Sequence, residues 1–235
     1  MRKGFSLFES LISLGLTLFI VLGGMQFFEV SRTFFQRLKD RSEDRRAALA
    51  ALDKIDQDLG EAGRDLAVPI GRGLVEGLAV GTARLTIDCA EKELIPAGDI
   101  QPGQTRVAVG GASGIKAGRR VCLFDELNAQ VFRVEAVEGN ALLLAPEAGA
   151  LYRKEKSRLL LLSRVEYTMD AAGGIIRRRE NGGGAQPLLE SVSTLDTFFD
   201  EERNVVTVRL ALRSNERRHY ARTMFPKNSA PSFRR

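Results

Sequence analysis

The stretch that decides the fold is MRKGFSLFESLISLGLTLFIVLGGMQFF, residues 1–28. Arg2, Lys3 and Gly4 precede an apolar run from Phe5 to Phe28 in which 15 of 24 residues are large and hydrophobic. Its single formal charge is Glu9. As a helix, 24 residues span roughly 36 Å, enough to cross a hydrocarbon core of about 30 Å. A carboxylate near the start of such a run is costly in lipid, by roughly 2.5–3.5 kcal/mol at a helix centre. It therefore reads as a functional group. A secretory signal peptide fits poorly, because its apolar region would be shorter and a small-residue cleavage site would follow it. A plain membrane anchor fits the length but leaves Gly4 and Glu9 without a role.

The arrangement G-F-S-L-F-E over Gly4–Glu9 resembles the type IV prepilin signature. In that family a dedicated peptidase cuts after the glycine and the new terminal residue is N-methylated. The resemblance implies a leader at residues 1–4, a cut between Gly4 and Phe5, N-methylation of Phe5, and Glu9 as fifth residue of the mature chain. Parallel helices staggered along one axis would then set Glu9 of one subunit against the terminal ammonium of a neighbour. In low dielectric that pairing fixes the stagger, since any other register strands two charges. Glu9 is thus expected to act in assembly and not in catalysis.

From Glu29 the helical pattern turns amphipathic. Val30, Phe34, Phe35, Leu38, Ala48, Leu49, Leu52, Ile55, Leu59 and Ala62 recur at steps of about three and four residues, which predicts an amphipathic half over 29–66 packed on a globular domain. The charged segment Arg37–Arg46 interrupts the stripe. Gly60, Gly63 and Pro69 supply the stop.

Beyond Pro69 the signals are those of strands, predicting an antiparallel β-rich domain over 67–214 and a basic tail over 215–235. RLTIDC alternates, TRVAVGG follows a Pro102-Gly103 turn, and three short strands follow between Arg119 and Gly149. Residues 105–150 form a candidate barrel-like β insertion. RLLLLSRVEYTMD and GGIIRRRE read as a hairpin around Ala171–Gly174, and a last strand alternates over Val205–Arg213. The fold class expected is α+β: a long N-terminal transmembrane-plus-amphipathic helix packed on an antiparallel β domain. The layout of Leu159–Arg213, with the helix segment Leu52–Leu66, is similar to J-type pseudopilins and PilW-type minor pilins.

Composition fits a single anchored domain: 235 residues, 44% hydrophobic, net charge +5 from 35 basic and 30 acidic residues. The charge is mixed along the chain, so duplex DNA is not expected as a partner. Cys89 and Cys122 lie beyond the membrane segment. With Arg2 and Lys3 kept in the cytoplasm they would face an oxidising compartment, where a Cys89–Cys122 disulfide and two packed thiols are both open readings.

Catalytic constellations are sparse. His219 is the one histidine. GGASG around Ser113 and NGGG at 181–184 match neither phosphate-binding fingerprint nor a nucleophile elbow. Asp196, Asp200, Glu201 and Glu202 lack the alternation of a calcium loop. The Arg177–Arg179 run and Arg217, Arg218 and Arg222 have few interleaved aromatics to stack bases. No enzyme activity, metal or cofactor is expected.

The resemblance implies a minor pilin that primes or caps type IV pilus assembly. Its implied partners are other minor pilins, the major pilin, the prepilin peptidase, the inner-membrane assembly platform and the bilayer. Its location would be single-pass in the inner membrane, N-terminus cytoplasmic and domain periplasmic, then pilus tip or cell surface. Two alternatives stand beside it: a J-type minor pseudopilin of type II secretion, and a membrane-anchored periplasmic domain binding DNA or another ligand.

Overall fold

The computed structural model describes residues 7–226. The leader, Gly4 and Phe5 lie outside them, as does the end of the chain. The protein is α+β and divides into two units, residues 1–47 and 48–235. Helix α1, Leu7–Gly60, contributes to both.

In the first unit the described residues are helical, and the most apolar window of α1 is 0% buried. It is long and apolar enough to cross a membrane. The absence of proline and the run of Leu, Phe and Ile let the helix continue unbroken past Gly23-Gly24.

The second unit takes over where Ala48, Ala51, Leu52, Ile55 and Leu59 become buried at steps of three and four. This corrects the expected extent of the packed stripe. Val30, Phe34, Phe35 and Leu38 belong to the first unit and are exposed, as is Leu49. Arg37–Arg46 separates the two stretches, because so dense a charged segment cannot enter an apolar core without partners. The helix also ends earlier than position 66. It stops at Gly60, and Gly63 takes φ +71°, a left-handed conformation that glycine adopts without a Cβ penalty. A five-residue helix, α2 (Ala67–Gly71), follows.

The main sheet consists of β1 (Leu78–Gly81), β2 (Arg84–Pro96), β7 (Arg158–Asp170), β8 (Ile175–Glu180) and β9 (Gln186–Leu189). Between β2 and β7 the chain builds β3 (Arg106–Gly110), β4 (Arg120–Phe124), β5 (Ala129–Glu138) and β6 (Ala141–Ala145). The pairings run β2-β3-β6-β5-β4-β7 and return to β2, which closes a six-stranded antiparallel barrel. The 105–150 strands are therefore not a free-standing insert: two of the six staves belong to the main sheet.

A register shift between Ala90 and Lys92 makes this sharing feasible. A bulge bends and twists its strand. Below it, Arg84–Ala90 pair with Thr168–Leu162 in the main sheet; above it, Lys92–Leu94 pair with Leu161–Leu159 in the barrel. The run Leu159–Leu162 is apolar throughout because both of its faces are buried. Leu159 and Leu161 join Val121, Leu123, Phe132, Val134, Leu142 and Leu144 in the barrel core. Leu160 and Leu162 face outward with Cys122 and Phe124, under Leu66 and Val75.

A second sheet holds β10 (Val192–Asp200), β11 (Val205–Leu212) and β12 (Asn215–Met224). One expectation changes here: residues 215–224 of the expected basic tail form a ten-residue edge strand, and a further strand, Val192–Asp200, precedes the expected one over Val205–Arg213. The main core lies among α1, Leu85 and Ile87 of β2, Val165 and Tyr167 of β7, and Val206, Val208 and Leu210 of β11.

Candidate functional site

Glu9 lies in the first turn of α1 and is exposed. Ile12, Ser13, Leu16 and Thr17 lie beside it along the helix, at the spacings that share one face. The Thr17 hydroxyl donates to the Ser13 carbonyl at 2.7 Å, so it is satisfied within the helix and adds no polar cost in lipid. Large apolar side chains surround this seam, with Leu7 80% and Phe19 77% exposed. Such a surface needs lipid or other helices to cover it.

In the second unit, a buried carboxylate fixes α1 to the β domain. Asp58 sits one turn beyond Ile55 on the packed face and is buried. Its Oδ2 accepts from the Tyr167 hydroxyl at 2.5 Å and from Arg178 Nε at 2.7 Å, and its Oδ1 lies 3.0 Å from Lys54 Nζ. Arg178 Nη1 also donates to Glu180 at 2.8 Å. Burial alone would raise the Asp58 carboxyl, but hydrogen bonds from Arg178, Tyr167 and Lys54 outweigh it and hold it below its ordinary value. Burial, then the Asp58 carboxylate, push the Tyr167 phenol well above its usual range. Arg222 of β12 adds a second tie, to Asp53 and, at 2.8 Å, to Asp56.

Asp88 is the second buried acid. Arg164 binds it through two nitrogens, at 2.8 and 2.7 Å, and Arg120 donates to it at 2.6 Å. Its side chain is 4% exposed. The three residues come from β2, β7 and β4, where barrel and main sheet meet. The pairing of one carboxylate with two guanidiniums fixes that junction geometrically.

Cys89 and Cys122 are unpaired thiols, so the disulfide reading is not realised. Cys89 stands opposite Ser163 and Cys122 opposite Leu160 on the same strand, β7. Three positions apart on a strand means opposite faces, and the two cysteines approach β7 from opposite sides. Neither separation nor direction suits a disulfide. Burial raises both thiols, Cys122 to about 11.

Other sequence candidates are dispersed. The Arg177–Arg179 run is split by strand alternation: Arg178 turns to Asp58, while Arg177 lies 3.9 Å from Asp170. The loop containing Ser113 gives its Gly111 and Ser113 carbonyls to Lys92 Nζ, at 2.9 and 3.3 Å. Asp200 accepts from the Arg203 amide in the turn after β10. His219 is exposed on β12. Among the described residues no group of three or more His, Cys, Asp or Glu side chains is placed to hold a metal. Asp58, Asp88 and Tyr167 are not among the sequence candidates. Nothing local marks the two acids, because most of the arginines that hold them come from other strands, whereas Tyr167 continues the buried alternation of Val165.

No known protein family matches the chain, and no curated protein matches it. Among solved structures, a tailspike, Gp54 of Acinetobacter baumannii bacteriophage AP22 in complex with A. baumannii capsular saccharide, is 19% identical with a TM-score of 0.28. The match covers 33% of this chain and 15% of that one, a likeness too slight to carry fold or function.

Proposed function

We propose that the chain is a non-enzymatic pilin-like assembly subunit, a minor pilin that helps prime or cap a type IV pilus at the inner membrane. The observation that carries the reading is Glu9, an exposed carboxylate in the first turn of a helix whose apolar surface is bare. A lone anchor gains nothing from an acid at that depth. A helix that joins a staggered bundle gains a register mark. The Asp58 and Arg222 ties support the same reading, since a subunit hauled by its helix must carry its domain along.

Replacing Glu9 by Leu tests this. Membrane insertion should be unchanged or easier, because a costly carboxylate leaves the lipid. Incorporation into filaments, or cross-linking to companion subunits, should fall. If E9L assembles as well as the parent chain, the register argument fails.

A further inference from the structure

The described sheets leave four strand edges, β1, β9, β10 and β12; β10 lies against β1, its Thr197 hydroxyl donating to the Gly81 and Arg84 carbonyls, and β1 and β9 are guarded by ordinary means. β1 and β9 have four residues each; β9 carries Pro187, and the Gly81 carbonyl at the end of β1 accepts from the Thr197 hydroxyl at 2.7 Å. Short strands, proline, coverage and charged side chains are how natural sheets blunt their edges. Of these β12 has only the last. It runs ten residues, pairs only with β11 among the described strands, and contains no proline. At about 3.3 Å per residue it offers an edge of roughly 33 Å.

Charge is what β12 carries instead. Arg217, Arg218 and His219 are exposed, Glu216 is the one acid beside them, and Arg222 is engaged by Asp53 and Asp56. Arg218 lies over the Tyr220 ring at 5.5 Å, which holds its guanidinium along the strand. This charge disfavours a second copy. Two-fold pairing of β12 with itself over its full length sets Arg217 against Arg222, and like charges directly opposite are destabilising. Neutral and basic strands gain nothing from the positive edge; an acidic one is drawn to it. Just beyond the end of β12, exposed Phe225 gives an incoming strand an apolar foothold.

We propose that β12 is a docking edge for an extended, acidic strand of a partner protein, which adds to the β10-β11-β12 sheet by main-chain pairing. It rests on the assembly reading only for the source of that strand, a companion subunit.

The test uses the full chain in detergent micelles and a synthetic peptide of ten alternating Glu and Val residues, with a Lys/Val peptide as control. The Glu/Val peptide should bind and should slow amide exchange along β12. Arg217→Glu combined with Arg218→Glu lies on exposed positions, so the fold should be kept. It should weaken that peptide by about tenfold or more and favour the Lys/Val peptide. Four outcomes overturn the proposal: no binding, equal binding of both peptides, binding without protection of β12 amides, or β12 protection in concentrated protein without peptide. The last would assign the edge to a second copy. Because Glu9 takes no part in this measurement, its failure is separable from failure of the assembly reading.

Discussion

Removing the Tyr167 hydroxyl should loosen the grip of α1 on its domain by an amount the geometry specifies. In Tyr167→Phe the ring stays in place and only the donor to Asp58 goes. A buried hydrogen bond to a charged acceptor is worth about 1.5–3 kcal/mol. Asp58→Asn keeps the shape but deprives Arg178 of its carboxylate. Breaking a buried pair costs roughly 3–5 kcal/mol. Arg178 retains Glu180 and some exposure, so the lower end, about 3 kcal/mol, applies. The assay is urea unfolding of a soluble fragment beginning at Glu29. With a slope near 2 kcal/mol per molar urea, Y167F should lower the midpoint by about 1 M and D58N by about 1.5 M. In the D58N background, Y167F should cost much less than in the parent. The pH dependence has a definite sign. Asp58 is depressed in the folded protein below its ordinary 3.8, so its contribution is complete above that value and fades as pH falls through and below it. The gap between parent and D58N should be constant from about pH 8 to 5 and shrink below about pH 4. Equal midpoints at pH 7, or a gap that persists undiminished at pH 3, would refute the clamp.

The mature N-terminus should be N-methylated Phe5 by mass spectrometry of the membrane fraction; intact Met1, or a cut beyond residue 20, would remove the pilin-like reading. The fragment from Glu29 should fold alone, bind duplex DNA no better than roughly 10⁻⁴–10⁻⁶ M at about 0.15 M salt, and associate with soluble domains of companion subunits. Tight, salt-resistant DNA binding without subunit association would favour an anchored binding domain instead. With its thiol raised to about 11 and buried, Cys122 should resist alkylation in the native protein at pH 8 and react only on unfolding; prompt labelling would contradict its burial under Leu66 and Val75.

What the chain reveals in one dimension follows from how local the cause is. The long helix and the hairpin at Ala171–Gly174 are written in runs and turn residues a few positions wide, and they are legible, although the helix reads six residues longer than it is. The barrel-like strands of 105–150 are legible too; their closure through β2 and β7 is not. It depends on Lys92–Leu94 meeting Leu159–Leu161 across the whole intervening segment, and nothing in either strand announces that partner. β12 reads as a tail in the sequence because exposed side chains outnumber buried ones along it, which erases the two-residue alternation that identifies a strand. Asp58 and Asp88 were opaque for a related reason: a buried acid and a solvated one look alike until their arginines, supplied by other strands, are in place. Glu9 stands out in the sequence because a lone charge is conspicuous in so long an apolar run.

The bulge after Ala90 has an architectural consequence. Because β2 and β7 face each other on both sides of it, the chain leaves the main sheet and re-enters it at directly opposed points, Leu94 beside Leu159. The barrel is therefore a module plugged into the open end of a two-stranded ribbon. A short turn could in principle bridge the same gap without disturbing a single contact of Ala48–Leu59 with the sheets. What such an excision would leave bare is Leu66 and Val75, whose covering comes from Cys122 and Phe124 as well as from Ala90, Leu160 and Leu162. The segment after α1 thus acts as a lapel buttoned to the module, and the two can be expected to diversify together while the helix seat beneath them stays as it is.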